Sequence, residues 1–177
     1  MRVITGNARG VKLNTPDGLE VRPTTERVKE AIFSIIQFEL EGRVFLDLFA
    51  GSGQMGIEAL SRGAEKAYFV DMNRNSLKIA EDNLLKTKMT GRAVTVNKSA
   101  ESFLNTNRNR FDIAFLDPPY NKQIIPAVLP LLEPFMNDGG TVICETEENE
   151  ILPEKAGNLE MYRAYNYSKT TVTVYRK

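Results

Sequence analysis

From residue 43 onward, short apolar runs alternate with segments whose apolar residues recur every three or four positions. RVFLDLF (43–49), KAYFVD (66–71), AVTVN (93–97), FDIAFLD (111–117) and GTVICE (140–145) have strand length and the apolar character of strands buried on both faces. Between them, 54–62 and 73–88 show helical spacing, and Gly63 closes the first as a helix C-terminus favours. In 122–135, Ile124, Ile125, Val128, Leu129 and Leu132 form one apolar face. Pro126 fits the first turn of that helix and Pro130 predicts a kink. TTVTVYRK (170–177) alternates like a half-exposed strand, as an antiparallel addition would. Strand–helix alternation predicts an α/β domain with a mostly parallel sheet and helices on both faces.

The first 42 residues follow another pattern. VIT and VKL, joined by the turn-rich GNARG, predict a small hairpin. A helix follows from Pro23 and Thr24 or Thr25, with Val28, Ile32, Ile35, Ile36 and Leu40 on one face. No repeat, linker or low-complexity tract interrupts the chain. The expectation is one domain over 1–177, with 1–42 an N-terminal extension of the 43–177 core.

Composition narrows the function without naming it. With 42% hydrophobic and 26% charged residues, the chain has an ordinary globular balance. No apolar run approaches the roughly 18 residues that span a bilayer, and the N-terminus lacks a signal-peptide core. The single cysteine, Cys144, excludes an internal disulfide and suits a reducing, cytoplasmic setting. Lys plus Arg equals Asp plus Glu at 23 each, so net charge does not point to nucleic acid. Arg2, Arg9 and Lys12 make a basic N-terminal end, whereas ETEENE (145–150) is acidic. Histidine is absent, which excludes a histidine base, nucleophile or metal ligand, and the expectation is that no metal is used.

The chemistry gathers where strands end. AGSGQMG (50–56) satisfies G-x-G-x-x-G through Gly51, Gly53 and Gly56, and Asp71 follows 20 residues after Gly51. Glycines let the backbone approach a ligand, and the acid can bind both ribose hydroxyls, so a nucleoside cofactor is expected. Asp47 would repel a dinucleotide's pyrophosphate but suits the ammonium of S-adenosylmethionine. No histidine is present to carry a dehydrogenase's proton. The balance favours S-adenosylmethionine.

LDLFAGSG (46–53), VDMN (70–73) and DPPY (117–120) resemble the motifs of class I S-adenosylmethionine-dependent methyltransferases. RPTTERVKEAIFSII (22–36), GIEALSRGA (56–64) and DPPYNK (117–122) narrow the resemblance to the RsmD family of bacterial 16S ribosomal RNA guanine-N2 methyltransferases. It implies a Rossmann-like, seven-stranded sheet in the order 3-2-1-4-5-7-6, and transfer of a methyl group to guanine N2 in the small ribosomal subunit. It also implies an adenine pocket near Ser99 and Ala100, with Asp47, Phe49, Ala50, Gly51, Gly53, Asp71, Met72 and Asp117 around the cofactor. Arg22, Thr24, Arg27 and Lys29, with Arg9 and Lys12, are the expected RNA contacts of a monomeric enzyme.

An exocyclic amine is a weak nucleophile because its lone pair is conjugated with the ring. Two fixed acceptors, the Asp117 carboxylate and the Pro118 carbonyl, can orient its two N–H bonds while the lone pair turns toward the methyl group. Pro118 and Pro119 stiffen that acceptor, and Tyr120 offers a face on which an extruded base can stack. DNA adenine-N6 or cytosine-N4 methylation would use the same logic. A nicotinamide-dependent oxidoreductase would share the glycine pattern.

Overall fold

The computed structural model describes residues 1–15, 25–119, 123–148 and 150–177. The elements follow in the order α1 (Glu26–Ile35), β1 (Val44–Asp47), α2 (Gln54–Ser61), β2 (Lys66–Asp71), α3 (Arg74–Lys86), β3 (Ala93–Asn97) and α4 (Ala100–Thr106). After these come β4 (Phe111–Leu116), α5 (Ile124–Leu132), β5 (Met136–Glu147), β6 (Lys155–Ala156), β7 (Leu159–Tyr167) and β8 (Thr170–Arg176).

One sheet runs β3-β2-β1-β4-β5-β8-β7-β6. β1 to β5 are parallel, and β8 enters antiparallel between β5 and β7. The expected order of seven strands holds for the long ones; the two-residue β6 at the edge brings the sheet to eight. Both of the elements that the hydrophobic pattern had not disclosed, α4 and β7, have weak periodicity. α4 is seven residues long, and β7 exposes most of its side chains. β5 begins at Met136, four residues before the apolar run that marks it in the sequence.

Two apolar clusters cover the two faces. Val28, Ile32 and Phe33 of α1, Ile57 and Leu60 of α2, and Leu77 and Leu84 of α3 pack on Phe45, Phe69 and Ile143. On the other face, Phe103 and Leu104 of α4 and Val128 and Leu129 of α5 pack on Leu46, Phe111 and Val142. Tyr68 and Phe111 meet edge to face at 5.3 Å. α5 runs through Pro130, and the last turn to Phe135 tightens into a 3-10 helix, so the proline ends the regular ladder late.

Thr25 starts α1, its Oγ1 accepting the Val28 N–H at 3.3 Å. The helix stops at Ile35; Ile36 and Leu40 are buried beyond its end. The N-terminal turn closes through an antiparallel bridge between Arg2 and Lys12, with the Val3 N–H donating to the Val11 carbonyl. It docks on α2. The Ile4 and Thr5 N–H groups donate to the two Glu58 carboxylate oxygens at 2.8 and 2.9 Å, and the Ala8 N–H donates to Ser61 Oγ. The parallel topology then collects the strand ends Asp47, Asp71, Asn97 and Asp117 along one rim of the sheet.

Candidate active site

The loop after β1 is stitched to both neighbouring strands. The Leu48 N–H donates to the Phe115 carbonyl and the Ala50 N–H to the Val70 carbonyl. Gly53 takes φ of 77° immediately before α2, a left-handed turn that suits glycine. Gly56 serves packing: a Cβ there would lie 2.3 Å from the Phe69 ring, so glycine lets α2 lie against β2. The pattern of three glycines thus divides between a sharp turn and close helix–strand contact.

Asp71 ends β2 facing this loop. Its Oδ2 accepts the Gly51 N–H at 2.8 Å, and its Oδ1 accepts the Asn73 N–H at 2.7 Å. The carboxylate therefore ties the β2 end to the glycine loop while each oxygen keeps a further lone pair. Met72 follows with its side chain 76% exposed, available to a flat ring. Asn97 on β3 donates from Nδ2 to the carbonyls of Asp71 and Met72, fixing the chain on which both sit.

Asp47 differs from its sequence-based expectation. It is 1% exposed and accepts the Gly56 N–H at 3.0 Å, so its carboxylate is enclosed beneath α2 rather than open at the rim. Burial, with the Asp71 charge adding to it and the Gly56 N–H opposing it, raises its pKa to about 7. Phe49 is half-buried and Ala50 buried within the loop. Ser99 is the N-cap of α4, its Oγ accepting the Ser102 N–H, and Ala100 opens that helix, buried. The hydroxyl expected near adenine thus already accepts a capping bond.

Asp117 follows β4 directly, half-buried, with Pro118 buried and Pro119 exposed. The strand ends where the sequence places it, because proline cannot continue the ladder. Phe115 of β4 packs with the first cluster and Leu116 with the second, so the period of two directs Asp117 toward the face that carries α1, α2 and the glycine loop. Tyr120, Arg22 and Thr24 lie outside the described residues. Arg9, Lys12 and Arg27 are exposed. Lys29, expected among the RNA-facing cations, is instead fully buried: its Nζ donates to the Arg2 carbonyl at 2.8 Å and lies 3.5 Å from Glu58. Burial outweighs the attraction of Glu58 and lowers its pKa.

Three polar residues escape the motif reading. Asn83 of α3 donates to the Ser52 and Asn14 carbonyls and accepts the Asn14 N–H, which ties the glycine loop to the N-terminal segment. Asn97 stands outside any motif. Gln54, the first residue of α2, buries Oε1 without a hydrogen-bond partner among the described residues. A polar residue inside an otherwise apolar helix face is the available signal for Asn83; nothing in the sequence marks the other two.

Comparison with known proteins gives this site its relatives. The family model described as conserved hypothetical protein 95 matches residues 1–176. YlbH of Bacillus subtilis is 40% identical, over 100% of this chain and 99% of its own length. Ribosomal RNA small subunit methyltransferase D of Escherichia coli is 34% identical, over 100% of this chain and 90% of its own. The solved structure of yhhF from Escherichia coli superposes with a TM-score of 0.90 at 35% identity, covering 100% of this chain and 97% of that one. The chain belongs to the conserved hypothetical protein 95 family, the RsmD family that its motifs resemble.

Proposed function

We propose that the protein transfers a methyl group from S-adenosylmethionine to the N2 amine of a guanine in small-subunit ribosomal RNA, acting as a monomer in the cytoplasm. The observation that carries this reading is the meeting, on one rim, of the Gly51–Asp71 pair with the Asp117-Pro118-Pro119 end of β4. The relative named as ribosomal RNA small subunit methyltransferase D supports the choice of RNA.

The residues present suit the cofactor. Gly51 leaves open space at its Cα, Asp71 can accept both ribose hydroxyls, and the exposed Met72 can lie on an adenine ring. Gln54 Oε1 supplies a buried acceptor without a partner beside the loop. When bound there, the cofactor supplies a methyl group on a positively charged sulfur.

The protein's task is positioning. The Asp117 carboxylate and the Pro118 carbonyl accept the two N–H bonds of the amine, leaving its lone pair directed along the carbon–sulfur axis. As the new N–C bond forms and the C–S bond breaks, the nitrogen becomes acidic and gives one proton to Asp117 or to water. Guanine presents N2 on its minor-groove edge, so the base must come from a loop or be flipped outward, with Tyr120 as its stacking face.

The test is transfer of labelled methyl from S-adenosylmethionine to small ribosomal subunits, naked 16S RNA and duplex DNA, followed by nucleoside analysis. N2-methylguanosine in ribosomal RNA alone supports the reading. N6-methyladenine in DNA would overturn the substrate, and absence of label despite cofactor binding would overturn the reaction.

A further inference from the structure

β7 carries the segment MYRAYNYSK (161–169), which has three tyrosines, an arginine and a lysine and no acid. Its outer edge pairs with β6 only at Leu159 and Glu160, and no described strand pairs with it beyond. The register with β8 sets Arg163, Tyr165 and Tyr167 opposite Val174, Val172 and Thr170, so all three project to the α1 face of the sheet. The irregularity between Met161 and Arg163 leaves Tyr162 64% exposed, with the Arg176 guanidinium 5.5 Å from its ring.

The stripe is ordered and runs toward the site. The Arg163 guanidinium lies 5.2 Å from the Tyr165 ring, and Tyr167 packs its inner side on the first apolar cluster. Burial and Tyr165 raise the Tyr167 phenol's pKa against the nearby Arg27 guanidinium, which places the start of α1 beside it. β5 and β8 pair Glu147 with Thr170, so the turn from Tyr167 to Thr170 stands at the rim onto which β4 delivers Asp117. Arg163 to Tyr167 spans about 13 Å at the usual strand rise.

Resting on the proposed RNA methylation, we infer that Tyr162, Arg163, Tyr165 and Tyr167, flanked by Lys169 and Arg27, form a stacking platform for single-stranded RNA beside the target guanine. Rings on alternate residues of a rigid strand accept unstacked bases at little ordering cost, and the interleaved cations meet the phosphates. Glu147 and Glu30 are the nearby exposed or half-exposed acids; both lie off the strand, so the platform keeps a positive path along its length. Single strands are also the state in which a base edge is open to an amine methyltransferase.

The experiment compares wild-type protein with Tyr165→Ala and with the double variant Arg163→Ala/Lys169→Ala, measuring KM for naked 16S RNA, salt dependence of RNA binding, and affinity for S-adenosylhomocysteine. Tyr165→Ala is expected to raise KM on the order of tenfold with cofactor affinity unchanged. The double variant is expected to flatten the slope of log K against log salt by about one unit, which a merely structural residue would not do. Wild-type activity on RNA with unchanged KM and salt slope in the variants would overturn the platform alone. Weakening confined to assembled subunits would assign the surface to a ribosomal protein and also overturn it. A wild-type protein that labels no RNA would instead sink the underlying reading and the platform with it.

Discussion

Two carboxylates are buried to the same degree at the two ends of α2, and the protein treats them differently. Glu58, near the C-terminal end, accepts N–H groups from Ile4 and Thr5 and from Arg62 Nε, and Lys29 Nζ stands 3.5 Å away. Asp47, beneath the first turn, accepts the Gly56 N–H, while its nearest charged influence is another carboxylate, Asp71. Burial disfavours a charge; partners decide whether it is kept. Around Glu58 the supply of cations and backbone donors makes a fixed latch for the N-terminal segment. Around Asp47 the cationic complement is missing from the protein itself, which suits a site whose ligand brings positive charge.

The largest effect expected from this difference is at the latch. Glu58→Ala strands buried Lys29 and two backbone N–H groups, so it should cost roughly 3–5 kcal/mol of unfolding free energy. Glu58→Gln retains an acceptor and should cost less. Urea titration gives the ranking, and hydrogen exchange should show the Ile4 and Thr5 amides losing protection first. Equal stability of Glu58→Ala and wild type would dissolve the contrast between the two acids.

Asp47 should respond to pH instead. Its folded pKa of about 7 lies above the ordinary 3.8, so the native state holds a proton that the unfolded chain releases between them. Stability from this group is present below about pH 4 and falls as pH rises to 7, with a slope of up to about 1.4 kcal/mol per pH unit. Asp47→Asn keeps an acceptor for Gly56 and removes that titration. The variant should gain on wild type progressively from pH 4 to 7, and the gap should stay constant above. A pH-independent gap would show that Asp47 is charged throughout.

Asp117 is a carboxylate of a third kind, half-buried at the rim where the amine must arrive. Asp117→Ala should lower kcat on the order of 10²–10³-fold, the usual loss when one preorganised acceptor or donor is removed. Affinity for S-adenosylhomocysteine should hold, which separates this role from that of Asp71.

How much of this was legible depended on how local each feature is. Asp71 and Gly51 sit at spacings that a short stretch of chain dictates, and β4 ends at Asp117 because two prolines follow. Lys29 misled because its letter and helix position suit a solvated cation; only the fold brings Glu58 to it across 29 residues of sequence. β7 escaped because a strand with one exposed edge and a tyrosine-rich face lacks the apolar run that marks its buried neighbours. Asp47 was legible as an acid near a cofactor loop, but its enclosure depends on how α2 settles on β2 through Gly56.

The smallest effect expected is at Asn97, where geometry rather than charge is at stake. Its Nδ2 donates to two consecutive carbonyls at 2.9 and 3.0 Å, holding the Asp71–Met72 corner from the neighbouring strand. Asn97→Ala removes two neutral bonds at an exposed position, each worth about 0.5–1.5 kcal/mol, and the Asp71 carboxylate remains bonded to Gly51. Affinity for S-adenosylhomocysteine should fall by roughly tenfold or less, while kcat at saturating cofactor stays near that of wild type. A comparable fall in kcat would mean that this corner also positions the methyl group, and would carry the influence of the cofactor region across the rim to Asp117.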